Sequence, residues 1–178
     1  SIYTKTLIVF LKNWLKKKFG SKPSKDNSAI TEDIDTAPFI NRLRIIEKEN
    51  IRRLDLLKSK LLGRKSDVFE LIPLILHENH SELPGNEWSA AVLSGLACYD
   101  PSLEASAIMK KYFPGAEIEK RAKQTRPIQF LCIMGSAGSA SFTSESDIDF
   151  WVGIDKKIIS EENLTWLQSK LTAIEKWV

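Results

Sequence analysis

Two aspartates separated by one residue, Asp147 and Asp149, have the type and spacing of metal ligands. Side chains alternate along a strand, so both carboxylates point to one face of the predicted strand Asp147–Ile154. At about 4 Å and an effective dielectric constant near 20, the two charges would repel each other by roughly 4 kcal/mol. A divalent cation between them turns this repulsion into attraction, and Mg²⁺ prefers carboxylate oxygens. The pair therefore predicts a site for Mg²⁺ or Mn²⁺; the alternative is a strand-end pair that is exposed to solvent or caps a turn.

Gly135 and Ser136 follow a predicted buried strand, Ile128–Met134, in which only Gln129 is polar. Glycine lets the backbone turn and approach a ligand closely. Serine is a favoured residue at the start of a helix, where free N–H groups attract anions. These residues predict a phosphate site beside the metal site. A plain helix cap at Ser136 is the alternative, and it is compatible with phosphate binding.

The order Gly-Ser, ten residues, Asp-x-Asp resembles the signature of polymerase-beta-type nucleotidyltransferases. The whole segment GSAGSASFTSESDIDFWV resembles class I adenylate cyclases more closely, including the ending Ser-Asp-x-Asp-x-Trp-Val that begins at Ser146. Weaker similarity falls in three further stretches, so the resemblance covers most of residues 39–178: Asn41–Leu62, Leu71–Gly85 and Gly95–Pro101. Ser141 and Thr143 depart from the family pattern, which has Gly and usually Ser at these positions.

The resemblance implies conversion of ATP to cyclic AMP and pyrophosphate, with Asp147 and Asp149 as catalytic metal ligands. Gly135 and Ser136 would hold the β- and γ-phosphates, and Ser146 would belong to the same nucleotide site. The residues alone support only metal-assisted attack on a nucleotide phosphate. Two alternatives stay open. One is a transferase that adenylylates a protein or a small molecule, and the other is a non-enzymatic module that senses nucleotide or docks a partner.

Members of this superfamily resemble one another in using a third carboxylate from a later strand. The apolar stripe of the last predicted helix continues to Val178, so no such strand follows the aspartates within the chain. Glu117 and Glu119 precede the first strand, which is the wrong place in the topology. The chain is therefore expected to be a fragment, truncated at its C-terminus, with little activity by itself.

Other residues near the motif allow two interpretations each. Trp151 shares the face of the carboxylates if the strand is regular, and it then lines the nucleotide pocket; packing in the core is the preferred alternative. Four cations precede the first strand and either face solvent or reach the triphosphate: Lys120, Arg121, Lys123 and Arg126.

Composition predicts an ordinary soluble domain, with 43% hydrophobic and 28% charged residues. The net charge of +3 arises from residues 1–27, which contain seven Lys and one Asp; the remainder is mildly acidic and does not indicate a nucleic-acid-binding face. Cys98 and Cys132 lack CxxC spacing and are predicted to be reduced core thiols of a cytoplasmic protein.

The predicted fold is α+β, with a helical portion (residues 39–127) packed on a small mixed sheet of the nucleotidyltransferase type (residues 128–178). Residues 1–27 form a basic arm that runs into a linker over residues 28–38. The amphipathic segment 2–19 either binds a membrane surface or a partner protein, or packs on its own domain. Helices are predicted over residues 39–62, 66–77, 88–96, 101–113 and 160–178. The charges of the first of these, Arg52 and Arg53 among them, are assigned to a solvated face.

Overall fold

The computed structural model describes residues 37–85, 94–118, 126–155 and 159–178. Within these ranges the elements follow in the order α1 (Ala37–Lys60), α2 (Arg64–His77), α3 (Leu103–Tyr112), β1 (Ile128–Met134), β2 (Asp149–Ile154) and α4 (Glu161–Trp177). The predicted α+β class is confirmed. The predicted arm lies outside the described residues, and its role stays a prediction. None of the helices described here has the length and apolar character needed to cross a membrane.

Element boundaries differ from the prediction by more than a residue or two in three regions. The first helix begins at Ala37, inside the predicted linker. The second strand begins at Asp149, so Asp147 belongs to the preceding loop. The end of the predicted helix 88–96 is wrong, because Leu96 forms an isolated parallel bridge with Ile128; residues 88–93 of that prediction lie outside the described residues.

The two strands form an antiparallel hairpin, in which both apolar residues and Asp149 are paired across the ladder. Leu131 lies opposite Val152, and Met134 lies opposite Asp149 at the end of the ladder. The described sheet is thus antiparallel and not mixed as predicted; the parallel pairing of Leu96 with Ile128 is an isolated bridge outside the two strands. Residues 135–148, which we call the site loop, therefore leave and re-enter the sheet at the same end.

The main core lies between α2, α3, α4 and one face of the hairpin. The helix α2 is buried along the whole stretch from Leu71 to His77, including Pro73 in its interior. Burial of each large apolar side chain stabilises the fold by about 1.5–3 kcal/mol. The most deeply buried members are Leu71, Leu74, Ile75, Leu76, Leu83, Leu96, Tyr99, Ala105, Met109, Ile128 and Leu131.

Polar contacts connect α2 to the neighbouring helices. The Arg64 guanidinium lies 5.4 Å from the ring centre of Tyr112 and 5.1 Å from that of Trp177, and it donates to the Trp177 carbonyl at 2.7 Å. Asp67 accepts hydrogen bonds from Lys111 at 2.6 Å and from the Tyr112 hydroxyl at 2.8 Å. The hydrogen bonds from Lys111 and Tyr112 hold the pKa of Asp67 below its ordinary value. The last turn of α3 is thus held against the first turn of α2.

A second apolar cluster holds the site loop against α1. Phe142 and Ala137 of the loop are buried in one cluster with side chains from α1, from the residue that follows it and from α2: Leu54, Leu57, Leu61 and Phe69. Gly138 has a φ of +70°, and a Cβ atom added to it would lie 2.3 Å from the backbone oxygen of Arg53. Only glycine allows the loop backbone to approach α1 this closely.

The close approach predicts a large effect of Gly138→Ala. Alanine at a positive φ costs about 1–3 kcal/mol, and at Gly138 it must also displace the loop from α1. Gly63→Ala is the matched control, because Gly63 also has a positive φ, +56°, but an added Cβ would meet no atom within 4 Å. Urea unfolding should show the greater loss of stability for Gly138→Ala. Equal losses for the two variants would contradict the packing of the loop on α1.

The two cysteines differ in exposure, which corrects part of the prediction. Both are free thiols, but Cys98 is exposed and does not belong to the core, whereas Cys132 on β1 is half-buried. Burial raises the pKa of the Cys132 thiol.

We therefore expect iodoacetamide to modify Cys98 first, because the thiolate is the reacting species and Cys132 is both shielded and harder to ionise. Mass spectrometry of peptides from a time course at pH 8 gives the two rates. The variant Cys98→Ser should retain only the slow reaction, and faster modification of Cys132 than of Cys98 would contradict the described burial.

Candidate metal and phosphate site

The structure brings Gly135 and Asp149 together at one end of the hairpin. Gly135 directly follows β1 and has a φ of +79°, so it makes the turn that the sequence predicted. A Cβ atom added to Gly135 would lie 3.7 Å from Asp149 Oδ2. The first residue of the site loop therefore lies beside a predicted metal ligand, because the antiparallel register puts Met134 opposite Asp149.

The alternation predicted for the second strand is present. Asp147, Asp149 and Trp151 are exposed, whereas the residues that alternate with them are partly buried: Ile148, Phe150 and Val152. Trp151 is 60% exposed, so the preferred interpretation of this residue as part of the core is wrong. The physical reason is that the core lies on the Phe150 face of β2, and Trp151 points the other way.

The two serines of the predicted phosphate site shape turns. Ser136 is exposed, and its carbonyl accepts a hydrogen bond from the N–H of Ser139 at 2.9 Å. A turn and not the predicted helix follows Ser136. The hydroxyl of Ser146 accepts a hydrogen bond from the N–H of Thr143 at 3.0 Å and so shapes the turn that precedes Asp147. Phosphate binding by both serines stays a prediction.

The two carboxylates have the chemistry of a cation site. Within the described ranges, no Lys, Arg or His forms an ion pair with Asp147 or Asp149, and both side chains face solvent. Exposed carboxylates that no protein cation neutralises fit a divalent metal ion. The turn of Gly135 beside them leaves space for a ligand that bridges metal and backbone.

Glu175 of α4 lines the same groove of about 450 Å³ as Asp149. Even so, in the part of the chain that the structure describes, no group of three or more Asp, Glu, His or Cys residues is arranged to share a metal ion. The expectation that the 178-residue chain has little catalytic activity by itself stays a prediction.

Sequence analysis missed the cations that contact the site loop. Arg53, assigned to a solvated face, donates hydrogen bonds to the carbonyl oxygens of Gly135 at 3.3 Å and Ala137 at 2.9 Å. Lys60 donates to three carbonyl oxygens further along the loop. A signal was present, since Arg53 and Lys60 are seven residues apart and flank the buried Leu57 on one helical stripe.

Of the four cations that precede β1, the structure describes only Arg126. Lys120, Arg121 and Lys123 lie outside the described residues, so their predicted roles stay open. Arg126 is described, and its carbonyl accepts a hydrogen bond from the side chain of Gln129 at 2.6 Å.

Comparison with known proteins identifies the family to which this chain belongs. The family model described as Adenylate cyclase NT domain matches residues 40–178. An adenylate cyclase of Haemophilus influenzae is 33% identical over 124 residues, covering 62% of this chain and 14% of that protein. An adenylate cyclase of Pasteurella multocida is 31% identical over 121 residues, covering 65% of this chain and 14% of that protein. An adenylate cyclase of Shigella flexneri is 30% identical over 112 residues, covering 62% of this chain and 13% of that protein.

The chain thus spans only 13% to 14% of the length of these curated relatives. No solved structure gives a significant match. The family model nevertheless includes most of α1, the site loop and both aspartates, and it covers most of the chain. The chain therefore belongs to the adenylate cyclase NT domain family.

Proposed function

We propose that this chain forms the metal- and nucleotide-binding part of an adenylate cyclase, which converts ATP to cyclic AMP and pyrophosphate. The observation that carries the proposal is the proximity of Gly135 and Asp149, which puts a backbone turn and a carboxylate beside each other. ATP bound with a divalent cation requires both features, one for its phosphates and one for its metal. The similarity to proteins named adenylate cyclase supports cyclisation as the reaction.

Asp147 and Asp149 are proposed to hold Mg²⁺ or Mn²⁺ through their exposed carboxylate oxygens. When bound, the metal ion neutralises phosphate charge and increases the acidity of the attacking 3′-hydroxyl. Gly135 and Ser136 are proposed to orient the β- and γ-phosphates through backbone N–H groups and the Ser136 hydroxyl, and Ser146 to support the same loop. In this arrangement the residues that bind the leaving pyrophosphate would lie beside those that hold the cation.

Trp151 is proposed to contact the nucleotide base. Its side chain is exposed on the face of β2 that carries Asp149, and it lies opposite Cys132 on β1. An exposed indole offers a large flat apolar surface against which a purine stacks. The reduced thiols favour the cytoplasm as the location of this reaction.

The first test is stabilisation by ligand. ATP with Mg²⁺ at about a hundred times its dissociation constant should add about 2.7 kcal/mol to the free energy of unfolding. Thermal melting with ATP, with and without Mg²⁺, measures the metal-dependent part of this shift. Asp147→Asn and Asp149→Asn should remove that part, because each takes one negative charge from the cation site.

Glu145→Gln is the matched control for this test, since Glu145 is an exposed acid of the same loop that is assigned no role in the site. It should retain the full shift. An unchanged metal-dependent shift in Asp149→Asn would show that the cation binds elsewhere.

The second test identifies the product. The protein, expressed in its longest available form, is incubated with ATP and Mg²⁺, and nucleotides and pyrophosphate are quantified by mass spectrometry. Equal amounts of cyclic AMP and pyrophosphate are expected. Loss of either carboxylate should lower the rate by orders of magnitude, because each 1.4 kcal/mol of lost transition-state stabilisation is about tenfold. Transfer of AMP to a protein or small molecule would instead identify a transferase, and no turnover with intact binding would indicate a sensing module.

A further inference from the structure

Three cations from the first two helices donate hydrogen bonds to backbone carbonyls of the site loop. Arg53 binds the carbonyl oxygens of Gly135 and Ala137. Lys60 binds those of Ser139 and Ala140 at 3.2 Å and that of Phe142 at 2.7 Å. Lys65, in the first turn of α2, donates to the carbonyl of Ser144. These contacts follow the loop from its first residue almost to Asp147.

The charge of Lys60 is used within the protein and not on a ligand. An ammonium group has three N–H donors, and Lys60 Nζ has three carbonyl acceptors. Hydrogen bonds from a charged donor are stronger than those between neutral groups. Arg53 similarly directs one guanidinium nitrogen at two carbonyls of the turn.

Holding the carbonyls determines where the neighbouring amides point. The peptide bonds of the loop are trans, so the N–H that follows each held carbonyl points in the opposite direction. The N–H groups of Ser136, Ala140 and Ser141 follow held carbonyls and therefore point away from the helices. All three residues are exposed, and Ser136 directly follows Gly135, which lies beside Asp149.

We propose that Arg53 and Lys60 are positioning residues that hold the site loop with its amides directed at the phosphates of metal-bound ATP. This proposal rests on the proposed function. The cations remove conformational freedom from a loop of small residues before the nucleotide binds, so less entropy is lost on binding. Their positive charge behind the carbonyls also polarises the peptide groups, which strengthens the opposite N–H groups as anion donors.

Arg52 provides a matched control for Arg53. It is the preceding residue of the same helix and has the same charge, but it pairs with Glu49 one turn away, at 2.7 Å. The variants Arg52→Gln and Arg53→Gln therefore remove the same charge, and only Arg53→Gln removes contacts with the site loop.

Two measurements test the proposal. Amide hydrogen exchange of the loop peptide in the nucleotide-free protein should become about tenfold faster in Arg53→Gln and stay unchanged in Arg52→Gln. The dissociation constant of Mg²⁺-ATP, measured by calorimetry, should rise about tenfold in Arg53→Gln and stay unchanged in Arg52→Gln. Arg53→Lys should recover part of the affinity, because it keeps a charged donor. Lys60→Gln is the second variant should Arg53→Gln fail to fold, and it should change both measurements in the same direction.

The outcomes separate this proposal from the proposed function. If the unsubstituted protein binds no Mg²⁺-ATP, the proposed function fails and the phosphate role of the loop fails with it. If the protein binds Mg²⁺-ATP and Asp149→Asn abolishes binding, but Arg53→Gln and Lys60→Gln bind normally, only the positioning role is overturned. Weaker binding with unchanged loop exchange would also overturn it, because Arg53 would then act on the nucleotide directly.

Discussion

Arg53 donates hydrogen bonds to the carbonyl oxygens of Gly135 and Ala137, and Phe142 is buried beside Leu57 of the same helix. A loop composed largely of small residues buries too little apolar surface to stay ordered by itself. One aromatic side chain and a set of backbone hydrogen bonds from α1 replace the packing that the loop lacks. The conformation of the candidate site is consequently determined by a helix that lies some eighty residues earlier in the chain.

The register of the hairpin is the second constraint. A slip of one residue between β1 and β2 would turn Asp149 toward the core and Phe150 toward solvent. Phe150 packs against Phe69 with ring centres 6.2 Å apart, and Val152 packs on the main core, so such a slip would expose apolar surface. Apolar packing on one face of the strand thus keeps the carboxylate on the other face. The core and the candidate site are not independent.

The cations that contact the loop and the two aspartates carry opposite charges but do not pair. Arg53, Lys60 and Lys65 donate hydrogen bonds to backbone carbonyl oxygens of the loop. Asp147 at the end of the loop and Asp149 at the start of β2 are exposed, and in the described residues no ion pair joins either carboxylate to these cations. This arrangement supports the proposed function, in which the loop N–H groups bind an anion and the carboxylates bind a cation.

Sequence alone determined the features that depend on spacing along one element: the apolar strand β1, the turn at Gly135, and the alternation along β2 that exposes Asp149 and turns Phe150 toward the core. Periodicity along a strand or helix is a local property, so it is visible in the chain. Only the tertiary structure decided that Arg53 contacts the site loop while Arg52 pairs with Glu49, and that Trp151 is exposed. The hydrophobic pattern does not say which element packs beside a long side chain or which face of a two-stranded sheet is covered. Those outcomes depend on contacts between segments far apart in the chain, which local patterns do not encode.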